Sequence, residues 1–233
     1  AVTSFSAPAA AVDFWSARLE GAGVAVRRRE RFGLPVLTFR DPAGLQLEIT
    51  GNDEDERRPW TGGGIAEDRA LRGFYTVVLS VAETGPTHDF LTREFGFSEV
   101  ARDGDTVRYA VTGGGPGRYV DVRHDPDAER GYNGIGTVHH VAWRVEDDEA
   151  LLALRRRLAD ELGFRVTEVK DRKYFHSIYF RMPGHVLFEV ATIPPGFTLD
   201  ESTAELGRSL KLPDWEEPQR AQIEQALPNI YQS

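Results

Sequence analysis

The chain has 233 residues, 40% hydrophobic, 28% charged and 10% aromatic, enough for one large core or two smaller ones and unlike a disordered, collagenous or membrane composition. Twenty-eight basic against thirty-seven acidic side chains leave a net charge of −9, which repels a phosphate backbone and argues against nucleic acid as partner. The absence of cysteine excludes thiol nucleophiles, disulfides, iron–sulfur clusters and thiolate zinc sites together, so any metal must be held by His, Asp, Glu or Tyr.

No apolar run approaches the ~18–20 residues of a membrane helix, and no signal peptide opens the chain, so the expected location is the cytoplasm. Beginning Ala1-Val2-Thr3 without an initiator Met, the sequence reads as part of a longer gene product.

In chain order, a period-2 stretch over 2–7 predicts a strand, residues 14–20 a helix stopped by Gly23, and Leu37-Thr38-Phe39-Arg40-Asp41-Pro42 the first arm of a hairpin. The second arm is the alternating Leu45-Gln46-Leu47-Glu48-Ile49. Residues 51–64, with a charge run over 53–58 and Gly62-Gly63-Gly64, read as a solvated linker. The pattern then restarts: strand 74–81, helix 88–94 with Gly96, Val107-Arg108-Tyr109-Ala110-Val111, and Arg118-Tyr119-Val120-Asp121-Val122. The glycine-rich 112–117 between these arms lacks the Lys-Ser/Thr of a phosphate cradle and lies between strands, so it reads as a hairpin loop.

After a second linker over 124–136 comes a third copy: strand 138–145, helix 151–162 with Gly163, Ile178-Tyr179-Phe180-Arg181-Met182-Pro183 and Val186-Leu187-Phe188-Glu189-Val190. Phe39/Phe180, Pro42/Pro183 and Glu48/Glu189 are each 141 residues apart, and Asp121 takes the same place in the middle copy. The repeat is β-α-β-β-β, an α+β architecture of curled mixed sheets with helices outside. The expected organisation is a module over 1–52, a linker over 53–70, a module over 71–125 pairing with the first, a third over 126–193, and a tail over 194–233. The tail holds the turn Pro194-Pro195-Gly196 and an amphipathic helix over 216–227, suited to packing across a sheet or a subunit face.

Four of the six histidines fall in the third module. Alternation through Thr137-Val138-His139-His140-Val141-Ala142-Trp143-Arg144-Val145 puts His140, Ala142 and Arg144 on one face and His139, Val141, Trp143 and Val145 on the other. Glu189 is a lone carboxylate in an apolar strand, costly unless it is paired, protonated or bound to a metal. Two readings stay open: a packed, hydrogen-bonded histidine with Glu189 satisfied by Arg144, Arg172 or Arg181, or two donors of a 2-His-1-carboxylate triad around non-haem Fe(II). Glu48 has no histidine in its own module and Thr76 stands where the second would need one, so the first two modules read as metal-free. His88, in a helix, and His124, at a strand end, lie away from this site, and His176 and His185 read as exposed hairpin residues.

Gly136-Thr137-Val138-His139-His140-Val141-Ala142-Trp143-Arg144, Asp171-Arg172-Lys173-Tyr174-Phe175, Ile178-Tyr179-Phe180-Arg181, Leu187-Phe188-Glu189-Val190-Ala191-Thr192 and Pro194-Pro195-Gly196-Phe197-Thr198 with Asp200-Glu201 together resemble the vicinal oxygen chelate superfamily. That superfamily includes glyoxalase I, bleomycin and fosfomycin resistance proteins and extradiol dioxygenases, and the resemblance is closest to the ring-cleaving dioxygenases of hydroquinones. It covers nearly the whole chain, back to Asp13-Phe14-Trp15 and Arg31-Phe32-Gly33. It implies His140 and Glu189 as metal ligands, His139 as a proton-shuttling catalytic residue, Tyr179 as catalytic and substrate-binding, and Arg172 and Trp143 as substrate-binding. The implied cofactor is Fe(II) or Mn(II), and the implied partners are a small aromatic substrate and O2. The family has four modules, the first opening with a His-His strand that supplies the remaining histidine. This chain resembles modules two to four, so the third protein ligand is expected from a module removed by truncation or processing or supplied by a separate polypeptide, unless the metal has been lost; a homo-oligomer is the other expected partner. The alternative is a metal-free relative that sequesters an aromatic molecule in the cup of its sheet.

Overall fold

In the computed structural model, which describes residues 1–128 and 131–228, the period-2 stretches become strands and the segments between them helices. Two compact units result: Ala1–Val141 with Arg181–Leu187, and Ala142–Phe180 with Phe188–Ser233.

The first unit carries β1 (Val2–Ala7), α1 (Val12–Gly21), β2 (Arg27–Arg31), β3 (Leu34–Arg40), β4 (Gln46–Gly51), β5 (Gly73–Val81), α2 (Thr84–Asp89), β6 (Ser98–Asp103), β7 (Thr106–Ala110) and β8 (Tyr119–His124). They form one eight-stranded sheet in the order β2-β3-β4-β1-β5-β8-β7-β6. Each half runs alike: β1 lies parallel to β4 and β5 parallel to β8, while the antiparallel β1–β5 ladder joins the halves. A parallel pair needs a crossover, and α1 and α2 supply it. Ala7, Ala11, Val12, Leu37 and Ile49 bury together beneath α1, flanked by Trp15, Leu19 and Phe39. Gly51 permits this approach, because a β-carbon there would stand 2.8 Å from Val12 and 2.9 Å from Pro35.

The other face of the sheet curls until its ends meet. The Phe32 N–H, in the β2–β3 turn at φ 53°, donates to Asp103 Oδ2 at the β6–β7 turn at 2.6 Å.

The second unit carries α3 (Asp148–Arg156), β10 (Lys170–Asp171) and, apart from the end residues Val141, Arg181 and Leu187, the strands β9 (Val141–Val145), β11 (His176–Arg181) and β12 (Leu187–Thr192), in the order β10-β11-β12-β9, the same order as β2-β3-β4-β1. Asp147 caps α3 by accepting from the Ala150 N–H at 2.9 Å, and Asp148 and Glu149 in its first turn face Arg155 and Arg156 in its last, each sign suiting the helix dipole. Leu151, Leu158, Ile178, Phe180, Phe188 and Val190 are buried. The tail adds short 3-10 turns at Phe197–Leu199 and Glu217–Gln219 and the helix α4 (Arg220–Ala226). No helix among the described residues is long and apolar enough to cross a membrane.

Two local features depart from expectation. α2 and α3 each run on into a π turn, Phe90–Glu94 and Arg157–Glu161. In both, a glycine at positive φ, Gly96 or Gly163, then lets the next N–H reach back, Phe97 to Leu91 O and Phe164 to Leu158 O, each at 2.9 Å. The third module's first strand begins at Val141 rather than at 138. The Gly134 and Thr137 backbone and side chain bond each other, and Gly136 at φ 78° turns the chain, so 138–140 enter the strand without belonging to it.

Candidate functional site

The rings of Phe188 and Phe180 meet at 6.0 Å and those of Phe180 and Phe164 at 5.8 Å, which fixes the packed side of the four-stranded sheet. Successive side chains of a strand point to opposite faces, so Tyr179 on β11 and Glu189 on β12 share the other side. Glu189 is 4% exposed. The Arg172 guanidinium stands 5.7 Å from the centroid of the Tyr179 ring, so Arg172, Tyr179 and Glu189 gather on one face within the second unit. Trp143 does not join them: its ring meets Phe188 at 5.6 Å. Residue 143 alternates to the packed side of its strand, where its half-buried indole lies beside Phe188.

His139 and His140 lie in the first unit, just ahead of β9. Their Nδ1 atoms are 2.7 Å apart, so one ring donates an N–H that the other accepts. His140 is half-buried and His139 exposed. Both line a cavity of about 710 Å³ in this unit, together with Arg40, Arg123, Arg181 and His185. His140 and Glu189 thus belong to different units, and among the described residues no three His, Asp or Glu side chains gather as a metal site. Of the other histidines, His88 meets the Tyr109 hydroxyl at 3.0 Å and His176 meets Asp148 at 2.7 Å, His124 ends β8, and His185 takes positive φ in the β11–β12 turn.

Sequence reasoning missed a buried charge cluster in the first unit. Glu48 and Asp121, the counterparts of Glu189, are 5% and 0% exposed. Arg31 holds Glu48 through two N–H···O bonds of 3.1 and 2.6 Å, and its Nε lies 3.3 Å from Asp121. Arg108 holds Asp121 at 2.7 and 2.8 Å, donates to the Tyr75 hydroxyl at 2.8 Å and stacks 4.1 Å from the Phe32 ring centroid. Burial pulls the Arg31 guanidinium down, but the bonds and charge of Glu48 prevail and its pKa stands above the usual arginine value; Arg108 is raised in the same way, by Asp121. Burial foremost raises the Tyr75 phenol. The signal in the sequence is an arginine within the otherwise apolar Val107-Arg108-Tyr109-Ala110-Val111, and the structure buries β7 at every residue. Where a metal-binding module would present a carboxylate to a metal, these two modules present it to a guanidinium.

This fold and these positions define a class. Residues 73–190 match the model of the Glyoxalase/Bleomycin resistance protein/Dioxygenase superfamily, and the chain belongs to that superfamily. Within it, the chain is 44% identical over 226 residues to the "Putative ring-cleaving dioxygenase MhqO" of Bacillus subtilis, a match covering 97% of this chain and 72% of that one. It is 36% identical over 217 residues to the chlorohydroquinone/hydroquinone 1,2-dioxygenase of Sphingobium indicum, covering 90% of this chain and 66% of that one. Among solved structures, a "putative dioxygenase" from Bacillus subtilis superposes with a TM-score of 0.90 at 44% identity, over 97% of this chain and 72% of that one.

Proposed function

We propose that the chain forms the larger part of an enzyme that opens the ring of a hydroquinone or related dihydroxylated aromatic with O2, and that His140 and Glu189 are its ligands to Fe(II), with Mn(II) as the other candidate metal. One observation carries the reading: a buried carboxylate shares a sheet face with a phenol and a guanidinium, the donors a phenolic substrate needs, in a chain 36% identical to a hydroquinone 1,2-dioxygenase.

Imidazole and carboxylate suit such a divalent metal in kind. In number this chain contributes two of the three donors of a facial triad, so a histidine from a further module completes the proposal. More than a quarter of the Bacillus relative's length lies outside the match. The bound metal would supply open positions for the substrate oxygen and O2. The remaining work falls to the chain. Arg172 holds the ionised phenolic oxygen by charge and N–H donation, and Tyr179 donates its hydroxyl and stacks under Arg172. The aromatic layer of Phe180 and Phe188 backs the sheet and holds its strands rigid. His139, hydrogen-bonded to His140, takes and returns the substrate proton, imidazole being the side chain suited to that at neutral pH.

The test is full-length protein loaded anaerobically with Fe(II), then given hydroquinone in an oxygen electrode. The expected result is about one iron per chain and one O2 consumed per hydroquinone, with iron lost in His140→Ala and Glu189→Gln. Full-length protein that takes up no iron, yet binds the aromatic equally well with both residues replaced by Ala, overturns the reading in favour of a metal-free binding protein.

A further inference from the structure

The tail between 194 and 228 converges on one side chain. Lys173 adopts φ 66°, a conformation rare outside glycine, in the connection between β10 and β11. Its ammonium donates to the Leu212 carbonyl at 2.8 Å, pairs with Asp200 at 3.1 Å and lies 3.6 Å from Asp214. The neighbouring Tyr174 hydroxyl donates to Asp200 at 3.2 Å, its ring stacks on Phe197 at 5.3 Å, and its carbonyl accepts the Gly196 N–H at 2.9 Å. An isolated exposed ion pair is worth little; here one half-buried ammonium, 18% exposed, gathers three acceptors from two tail segments.

The turn being held is the one that carries Arg172. The Arg172 N–H donates to Phe175 O at 2.9 Å, the Tyr174 N–H to Arg172 O at 2.8 Å, and the Lys173 N–H to Asp171 Oδ1 at 2.7 Å. Residues 171–175 therefore form a closed loop with Lys173 drawn into the tail and Arg172 over Tyr179. Arg172 itself is exposed and its long side chain has many rotamers to lose, so what orients it is the fixed backbone beneath it.

We infer that Lys173 and Asp200 form a latch by which the C-terminal tail positions Arg172 for the substrate, making both of them positioning residues. The inference rests on the reading of Arg172 as a substrate ligand. The latch acts on substrate capture, so its loss raises KM while leaving kcat close to its starting value. It also guards the loop, because an Arg172–Lys173 bond fixed in a tight turn resists trypsin.

The experiment compares Asp200→Asn, Tyr174→Phe, Lys173→Arg and Arg172→Met in the full-length iron-loaded protein, reading KM and kcat for hydroquinone and tryptic cleavage after Arg172. Asp200→Asn leaves both tryptic sites in place; it is expected to accelerate that cleavage and raise KM about tenfold with kcat within about twofold. Tyr174→Phe follows in the same direction with a smaller effect, and Lys173→Arg, which keeps the charge, stays near the parent. If Asp200→Asn and Tyr174→Phe loosen the loop but leave KM unchanged while Arg172→Met raises it, the latch is structural and the inference falls. If Arg172→Met itself leaves KM unchanged, the substrate role of Arg172 falls and the inference with it, a result separable from the first by that one variant. Cleavage unchanged in both Asp200→Asn and Tyr174→Phe overturns the latch directly.

Discussion

Arg108 on β7 and Asp121 on β8 stand directly opposite each other in an antiparallel ladder and close two parallel bonds of 2.7 and 2.8 Å. A fork of donors meets a carboxylate bidentately, the geometry in which a buried charge pair offsets its own desolvation. Arg31 joins from the end of β2, so the paired modules close their shared concave face with their own cations.

Breaking that pair from one side strands a charge. Arg108→Met leaves Asp121 with only the 3.3 Å approach of Arg31, and the expected cost is ~3–5 kcal/mol in urea denaturation. Arg108→Met combined with Asp121→Leu is expected to recover most of it, since apolar residues of similar volume replace buried pairs at little cost. A single variant losing under ~1 kcal/mol contradicts the assignment.

The module repeat was legible because three local signals coincide: period-2 strands, glycines after helices and the constant spacing from Phe39 to Phe180. What was not legible is what depends on strand pairing. The bidentate Arg108–Asp121 pair and the approach of Arg31 exist only once β7 meets β8 and the sheet curls, and the Trp143–Phe188 contact only once β9 meets β12. Lys173 gave no signal either, since its partners Asp200 and Leu212 lie far along the chain. Glu189 stands out as a lone carboxylate in an apolar strand, while Tyr179 and Arg172 are singled out by the family resemblance alone; alternation explains why Glu189 and Tyr179 share a face.

Gly51 lies where α1 crosses β4, with Val12 and Pro35 closer than any β-carbon tolerates. Gly51→Ala forces the helix outward and is expected to destabilise the first unit by ~1–3 kcal/mol, seen as a lower melting temperature. Gly21→Ala, where a β-carbon meets nothing within 4 Å, serves as the control and is expected to be neutral or stabilising.

Acid sensitivity is expected from Asp55, 5% exposed in the connection between β4 and β5. Burial favours its neutral form, but bonds from the Arg57 side chain at 2.9 and 2.7 Å and from the Arg57 N–H outweigh that and hold its carboxyl below the usual aspartate value. A carboxyl depressed in the folded state contributes stability that is full above its unfolded value and is lost as pH falls through the folded one. Urea midpoints measured from neutral pH into the acid range should therefore fall less steeply in Asp55→Asn than in the parent. Equal slopes would show that Asp55 is not linked to folding.

Glu189 offers the sharpest separation of a ligand role from a packing role. A carboxylate buried at 4% exposure costs more to desolvate than a neutral amide of the same shape. If Glu189 serves a metal, Glu189→Gln should leave the metal-free protein as stable as before or slightly more so, while iron uptake by the full-length protein falls by at least about tenfold. If it serves an arginine, the same change should leave iron uptake untouched and lower the melting temperature of the metal-free protein, because a buried guanidinium then loses its counter-charge. Under the metal role iron uptake falls and the melt does not, and under the arginine role the melt falls and iron uptake does not, so the pair of measurements decides between them.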